Sequence, residues 1–350
     1  MKNYGFLPEL EKAHRSEKDW IFGAKDEVLS GIAEGINFEE YFPKGEVQRG
    51  IEDFMDCATR GPMNILETKL TYAIKKNIFS PETIQWLRNK GYCDEFGNVE
   101  LSDRFNAILS NTTRSGNSMK APIESIRVDG IIPKSMLPKE DNMTWDMYHD
   151  KTKITQAMRD LGQEFKTKVL INYQIVDQTF FKDVQKYDMI NVALFAWPNP
   201  INGVYQRVEY TLNHVVAKFK DFYHYIFDNY IEGPDDFIKQ LAPDYNMYGV
   251  GYRIIINEVP QPVKKNEAEE GENMTFYKNP DSPKVYQKGV DGLFHWLIDQ
   301  PVFEGLYGSV SQANIQVINI PPEKIGFTIY DKRSILSIVM DFFTNKLSGK

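Results

Sequence analysis

Two cysteines in 350 residues are too few for a disulfide scaffold or for a metal site built from thiolates. Cys57 and Cys93 are each left as a small core residue or a reactive thiol. No run of about eighteen apolar residues occurs, so no segment is expected to span a membrane. The opening MKNYGFLPELEKAHRSEKDW carries charges every few positions and lacks the apolar core of a signal peptide. On that reading the Asn-X-Thr triplets at Asn111, Asn142 and Asn273 are expected to stay unglycosylated. An excess of base is also missing: 41 Lys and Arg against 49 Asp and Glu give a net charge of −8. That argues against a nucleic-acid partner held by phosphate contacts. There is no phosphate loop, dinucleotide glycine fingerprint or paired-histidine metal motif. The five histidines, at 14, 149, 214, 224 and 295, are scattered, so neither metal nor cofactor is expected. Tandem repeats are absent.

What is present is an ordinary apolar fraction, 42%, with plentiful aromatics, enough for a large domain plus a smaller one or for two medium ones. Residues 1–44 read as irregular and drape over a core. The clearest helix covers residues 62–76, with Met63, Leu66, Leu70 and Ile74 on one face and Pro62 in the first turn. Pro81–Asn89 is a second helix, with Ser80 as N-cap and Gly91 as stop. Residues 102–110 and 118–129 follow, then a charged helix over about 150–166. From there the character changes. LINYQIV, MINVALFAW, the stretch from Thr211 to Tyr230 and YGVGYRIIINEV are rich in β-branched and aromatic residues. Helices first and strands second predict an α+β fold. A Pro- and Glu-rich linker, 257–275, separates residues 45–256 from a small accessory domain, 276–350, that ends in a helix near 333–347. Within it Trp296, Phe303 and Tyr307 read as core.

The stretch TLNHVVAKFKDFYHYIFDNY reads as a hairpin of two apolar strands. Strands like these need no histidine, yet His214 opens the first, and Asp228 and Asn229 close the second. With a three-residue loop Lys220-Asp221-Phe222, positions 214 and 228 face each other across the antiparallel pair. Opposed β-carbons lie roughly 4.5–5.5 Å apart. That suits a carboxylate fixing the tautomer of an imidazole base. Asn229 points to the other face. The bland alternative is two polar groups on one surface edge. Cys57 lies five residues before Pro62, in EDFMDCATRGP. The unpaired N–H groups and dipole of a helix start favour thiolate there, and a nearby imidazolium would add to that. The alternative is a small buried hydrophobe. Cys93, with Asp94 and Glu95 beside it in GYCDEFGN, reads as structural.

With these residues assembled, the chain resembles the papain-like cysteine peptidases, over about residues 45–256. Cys57 and Glu67 keep the ten-residue interval between that family's nucleophile and a helix glutamate. Leu101-Ser102-Asp103-Arg104, Gly116-Asn117 and DGIIPKSMLP at 129–138 stand where the family has later motifs. MINVALFAW, Asn213-His214-Val215-Val216-Ala217 and Tyr225-Ile226-Phe227-Asp228-Asn229-Tyr230 match its strands, with Asp228 in the place of an asparagine and Tyr230 in that of a tryptophan. The resemblance implies a papain-like two-lobe fold, a helical lobe plus an antiparallel sheet lobe. It implies Cys57 as nucleophile, His214 as general base and Asp228 as its orienting partner, acting on a peptide or protein substrate. The order Cys, His, Asp is shared with transglutaminase-like thiol enzymes.

The chain also looks similar to papain-like proteins of bacteriophages and bacteria in GIEDFMDC, SDRFNAILSNTTRSGN and FDNYIEGPDDFIKQLAPDYN. That implies a cytoplasmic or virion-associated protein without a signal peptide, whose residues 276–350 attach to phage structural proteins. The alternative is an inactive structural or binding component of a phage particle. Two departures from the family pattern stand out. Gln48, the oxyanion candidate, lies nine residues before Cys57 where the family has six. Gly61-Pro62 interrupts the helix start, and a proline at that depth predicts a helix beginning at Pro62 with Cys57 in the preceding loop.

Overall fold

The computed structural model describes residues 5–15, 19, 37–45, 47–197, 200–208, 212–220, 225–230, 237–259, 275–278, 280, 285–288, 294–297, 314–317 and 325–329. The chain divides into two units, Met1–Gln261 and Pro262–Lys350.

The first unit is α+β. Its helices come in the order α1 (Pro8–His14), α2 (Cys57–Lys75), α3 (Pro81–Asn89), α4 (Asp103–Leu109), α5 (Lys120–Asp129), α6 (Trp145–Tyr148) and α7 (Gln156–Lys166). Then come β1 (Val169–Asp177), the short α8 (Phe181–Gln185), β2 (Ile190–Leu194), β3 (Pro200–Ile201), β4 (Val204–Tyr205), β5 (His214–Lys220), β6 (Tyr225–Phe227), β7 (Ile238–Leu241) and β8 (Met247–Glu258). The eight strands form one sheet in the order β1-β8-β2-β5-β6-β7-β4-β3. Every pair is antiparallel except β4 with β7.

Local signals place the helices as expected where caps are strong. The Ser80 hydroxyl accepts from the Thr83 N–H at 3.2 Å and starts α3. Ser102 does the same for α4 through Phe105, at 3.1 Å. The helix expected over 150–166 is shorter, because two caps divide it. Asp150 opens a 3₁₀ turn, Lys151–Lys153, and Thr155 then accepts from the Met158 N–H and starts α7. Helix α1 falls in the stretch read as irregular.

Helix α2 departs most from expectation. It begins at Cys57 and runs through Pro62 without a break. Asp56 sets the start: its carbonyl accepts from Thr59 and Arg60 at 2.8 and 3.0 Å, and its carboxylate is held by Arg60 and the Tyr148 hydroxyl. Pro62 forfeits the backbone bond to Ala58, a change that costs about 3 kcal/mol in a helix interior. Burial outweighs it, because α2 is covered on nearly all sides and not only along Met63, Leu66, Leu70 and Ile74. Several of its buried polar residues are bonded to the rest of the core. Lys69 reaches the Ile254 carbonyl at 2.6 Å, Glu67 accepts from the Leu101 N–H at 2.6 Å, and Thr71 accepts from the Val99 N–H at 3.0 Å.

The sheet has two covered faces. Ala193, Val215, Ala217, Phe219 and Phe227 join the core built around α2. Ile190, Val192, Leu194, Val216, Ile226 and Tyr230 pack on the other face with Phe181 and Val184 of α8, Tyr205 and Tyr245. Successive residues of β5 therefore serve different cores, as the two-residue period of a strand requires.

The second unit contains β9 (Thr275–Lys278), β10 (Val285–Lys288), β11 (Phe294–Leu297), β12 (Asn314–Val317) and β13 (Ile325–Ile329). They form one mixed sheet in the order β12-β9-β10-β11-β13, with β12 and β13 parallel to their neighbours. Trp296 lies on β11. Phe303, Tyr307 and the helix expected near 333–347 lie outside the described residues.

Candidate active site

The β5–β6 pairing is antiparallel, but its register differs from the expected one. Ala217 faces Phe227 and Lys218 faces Ile226, and a bulge then sets Lys220 against Tyr225. The register expected for a loop centred on Asp221 is therefore not the one formed. Carried past the end of β6, the observed register would set Tyr230, not Asp228, opposite His214. The slip is of two residues, so face is preserved, whereas a slip of one would have inverted it. Asp228 becomes the diagonal neighbour of His214 on the same face. The contact forms: His214 Nε2 lies 2.6 Å from Asp228 Oδ1. The Tyr230 ring packs edge-on to the imidazole at 5.9 Å, and the Trp197 ring does so at 5.7 Å. Asn229 points to the other face, where it accepts a hydrogen bond from Asn64 of α2.

Asp228 is 1% exposed and accepts from four donors. Besides His214, these are the Tyr230 N–H at 3.1 Å, the Trp197 indole N–H at 3.1 Å and the Lys239 ammonium at 2.8 Å. Burial pushes its carboxyl up, yet the charges and hydrogen bonds of His214 and Lys239 outweigh that and hold it below the usual carboxylate range. An ionised carboxylate only accepts, so His214 Nε2 carries the proton it donates, and basicity is left to Nδ1.

Cys57 opens α2 and is 1% exposed. Its thiol takes a hydrogen bond from the N–H of Val215, the residue that follows His214. Burial pushes the thiol well above its ordinary range. The Val215 bond opposes this, and the carboxylates of Asp56, Asp53 and Asp228 add to it. The expected help of the helix start toward thiolate is therefore outweighed in this state. Cys93 is half-buried, its thiol raised chiefly by burial while Arg88 draws it down.

Gln48 is reached through a tight turn. Arg49 and Asp53 form an isolated antiparallel bridge, and the Phe54 N–H returns to the Gln48 carbonyl at 3.3 Å. Asp53 Oδ1 accepts from Gln48 Nε2 at 3.0 Å and from the Met55 N–H at 2.9 Å, and Met55 itself holds a φ of 57°. The Gln48 N–H donates to the Asn229 carbonyl at 2.8 Å. Gln48 is thereby tied to the segment that bears Asp228.

Sequence reasoning missed the short N-terminal segment Gly5–Leu7. The Asn117 N–H donates to the Gly5 carbonyl at 2.8 Å, and the Leu7 N–H donates to the Asn117 carbonyl at 2.9 Å. The Phe6 N–H donates to the carbonyl of Asn213, the residue before His214, at 3.2 Å. Phe6 pairs in parallel with Asn117 and is buried against Tyr248. A β-carbon on Gly5 would stand 3.2 Å from the Cys57 sulfur and would collide with the Met55 carbonyl. Glu11 of α1 anchors the segment: its carboxylate accepts from Met119 and Lys120 at the start of α5, and from the Tyr252 hydroxyl on β8. Lys239 and Trp197 were also missed. Lys239 had a usable signal, because it alternates with Ile238 and Gln240 and so shares the inward face of Leu241.

Among the described residues, no group of three or more His, Cys, Asp or Glu is arranged to hold a metal ion. None of the helices there is long and apolar enough to cross a membrane. No protein-family model matches the chain, and no curated protein matches it. Among solved structures it is similar to xylellain, a cysteine protease from Xylella fastidiosa, with 14% identity and a TM-score of 0.46 over 72% of this chain and 96% of that one. It is also similar to the proform of Amb a 11, a cysteine protease and ragweed pollen allergen, at 13% identity and a TM-score of 0.44 over 74% of this chain and 75% of that one. A digestive procathepsin L 3 from the larval midgut of Tenebrio molitor gives 12% and 0.41, over 72% and 76%.

Proposed function

We propose that this chain is a papain-like thiol hydrolase that cleaves peptide bonds with Cys57 as nucleophile, His214 as base and acid, and Asp228 as orienting partner. One observation carries the reading: His214 bonds the buried Asp228 at 2.6 Å, while the next residue, Val215, holds the Cys57 thiol through its N–H. The imidazole is the base atom's carrier, and its Nδ1 is the basic nitrogen. In the proposed step it takes the thiol proton as sulfur attacks the amide carbonyl, then gives that proton to the departing amine. Water, deprotonated by the same nitrogen, hydrolyses the thioester and restores the thiol. Asp228 stays ionised throughout and stabilises the imidazolium. Gln48 is the proposed oxyanion donor, a role typically worth two to three orders of magnitude in rate.

Gly5–Leu7 supports a peptide substrate. It lies against Cys57 and is held by main-chain bonds to Asn117 and Asn213, which read backbone rather than side chain. With that segment in place and the thiol protonated, the described state is a resting one.

A peptidyl chloromethyl ketone tests the reading, with labelled cysteines mapped by mass spectrometry and Cys93 as internal control. Label is expected on Cys57 and is expected to vanish in His214→Ala, together with hydrolysis of a mixed peptide pool. Label divided evenly between the two cysteines, or unaffected by His214→Ala, would leave an inert scaffold as the better reading.

A further inference from the structure

Gln48 is wholly buried, and both its main chain and its side chain are held. Its N–H donates to the Asn229 carbonyl, and its carbonyl accepts from the Phe54 N–H. Its side chain meets Asp53, whose Oδ1 lies 3.0 Å from Gln48 Nε2. The Met55 N–H donates to that same oxygen at 2.9 Å, so Oδ1 acts as an acceptor. A glutamine amide has an oxygen at one end and two N–H groups at the other, and a half-turn of the side chain exchanges the ends. The end that meets Oδ1 must therefore be the nitrogen. One of its hydrogens serves Asp53, and that bond sets the direction of the second.

This clamp stands beside the thiol. Asp53 precedes Cys57 by four residues, and its carboxylate is close enough to push the Cys57 thiol up. The turn between them is strained, since Met55 holds a φ of 57°. Such a conformation persists where the surrounding bonds over-determine it. Here the Asp53 bond fixes the Met55 N–H, and the His149 ring donates to the neighbouring Phe54 carbonyl at 2.9 Å. The negative charge of Asp53 is no help to a thiolate or to an oxyanion. What Asp53 can give the site is its acceptor oxygen, placed by a strained turn against the amide of Gln48.

We propose that Asp53 is a positioning residue for the oxyanion donor: through its acceptor oxygen it keeps the amide nitrogen of Gln48, and not the amide oxygen, turned toward the carbonyl oxygen of a peptide attacked by Cys57. The inference rests on the thiol hydrolase reading and deepens it.

A peptidyl aldehyde reads the donor on the full chain. The Cys57 sulfur adds to the aldehyde carbon, the C–O π pair moves to oxygen, and the thiol proton passes to His214. The aldehyde oxygen then stands where the oxyanion would. Affinity is measured as protection of Cys57 from iodoacetamide, with Cys93 as internal control. Gln48→Ala and Asp53→Ala are each expected to weaken binding by about tenfold or more. The double variant should bind no worse than Gln48→Ala, because the two residues act through one donor. Asp53→Asn keeps the acceptor and drops the charge, and is expected to bind at least as tightly as the wild-type chain. Alkylation without aldehyde forms no oxyanion, so its rate should not fall in any of these variants. Should Asp53→Ala disturb the turn, Asp53→Ala/Met55→Gly is compared with Met55→Gly, in which glycine relieves the strained φ. The same loss is expected between that pair. Wild-type affinity in Asp53→Ala or in Gln48→Ala overturns the inference. So does a loss from Asp53→Ala that adds in full to that of Gln48→Ala, or an Asp53→Asn as weak as Asp53→Ala. An aldehyde that fails to protect Cys57 in the wild-type chain overturns the thiol hydrolase reading, and the inference with it.

Discussion

His214 and Asp228 show what a single residue can reveal before a fold is known. A histidine at the end of an apolar strand was legible, and so was the face it uses. The register was not, because the turn lacks glycine and the bulge between Lys218 and Lys220 adds a residue that spacing does not show. The two side chains still meet because the error was an even number. Lys239 was harder to see, since lysines are seldom buried and only its alternation with Ile238 and Gln240 marks it. Cys57 carries a residue-scale prediction. Its folded-state value is raised above that of the unfolded thiol, mainly by burial. The stability this contributes is intact below the ordinary thiol range and drains away as pH rises from there through the folded value. Cys57→Ala removes one such group. Its stability should fall less steeply above about pH 9, by up to about 1.4 kcal/mol per pH unit, in urea unfolding followed over pH. Parallel curves for the two chains would mean that Cys57 is hydrated in the native state.

At the scale of elements, α2 and the segment Gly5–Leu7 decide the site. The Gly-Pro step looked like a helix breaker and proves to be a contact point. A β-carbon on Gly61 would enter the Asn191 amide oxygen and stand 3.0 Å from Val215 Cγ1, so glycine lets α2 approach β2 and β5 at the level of Cys57. Gly61→Ala gains helix propensity of roughly 1 kcal/mol. Overpacking against two strands costs about 1–3 kcal/mol and should win. A lower urea midpoint with an unchanged slope is the expected result, and a midpoint that rises would show that Asn191 simply turns aside. The N-terminal cover could not be read from sequence, because its bonds to Asn117 and Asn213 join positions far apart in the chain. Gly5 holds a φ of 108° and sits against Met55, so Gly5→Leu should displace the segment while leaving Cys57, His214 and Asp228 in place. Alkylation of Cys57 by iodoacetamide at neutral pH is expected to accelerate at least tenfold over the wild-type chain, with Cys93 unchanged. Equal rates would show that something other than Gly5–Leu7 limits access.

On the scale of the first unit, the helical part and the sheet are joined by buried charge as well as by apolar packing. Fold class was legible because helices precede strands and because the strands are apolar along their length. The buried ionic links were not, since a lysine in a helix or an arginine in a strand reads as solvated until the tertiary partners are known. Lys69 of α2, at 2.5 Å, and Arg253 of β8, at 2.7 Å, share the carboxylate of Asp188, which precedes β2. All three are almost wholly buried, and Gln174 of β1 holds the far side of the guanidinium at 3.0 Å. One carboxylate thus ties the central helix to β8, and Arg253 carries the link on to β1. Asp188→Asn keeps the shape and removes the charge that both cations share. Breaking a buried ion pair in this way costs about 3–5 kcal/mol, because the remaining charge is left uncompensated. Asp188→Asn should therefore lose stability on that scale in urea unfolding, and adding Lys69→Met should recover part of the loss by removing one of the two cations. If the double variant is less stable than the single by the full cost of Lys69→Met alone, the two residues are not coupled. The link between α2 and the sheet would then rest on the apolar contacts of Ala193, Val215 and Ala217.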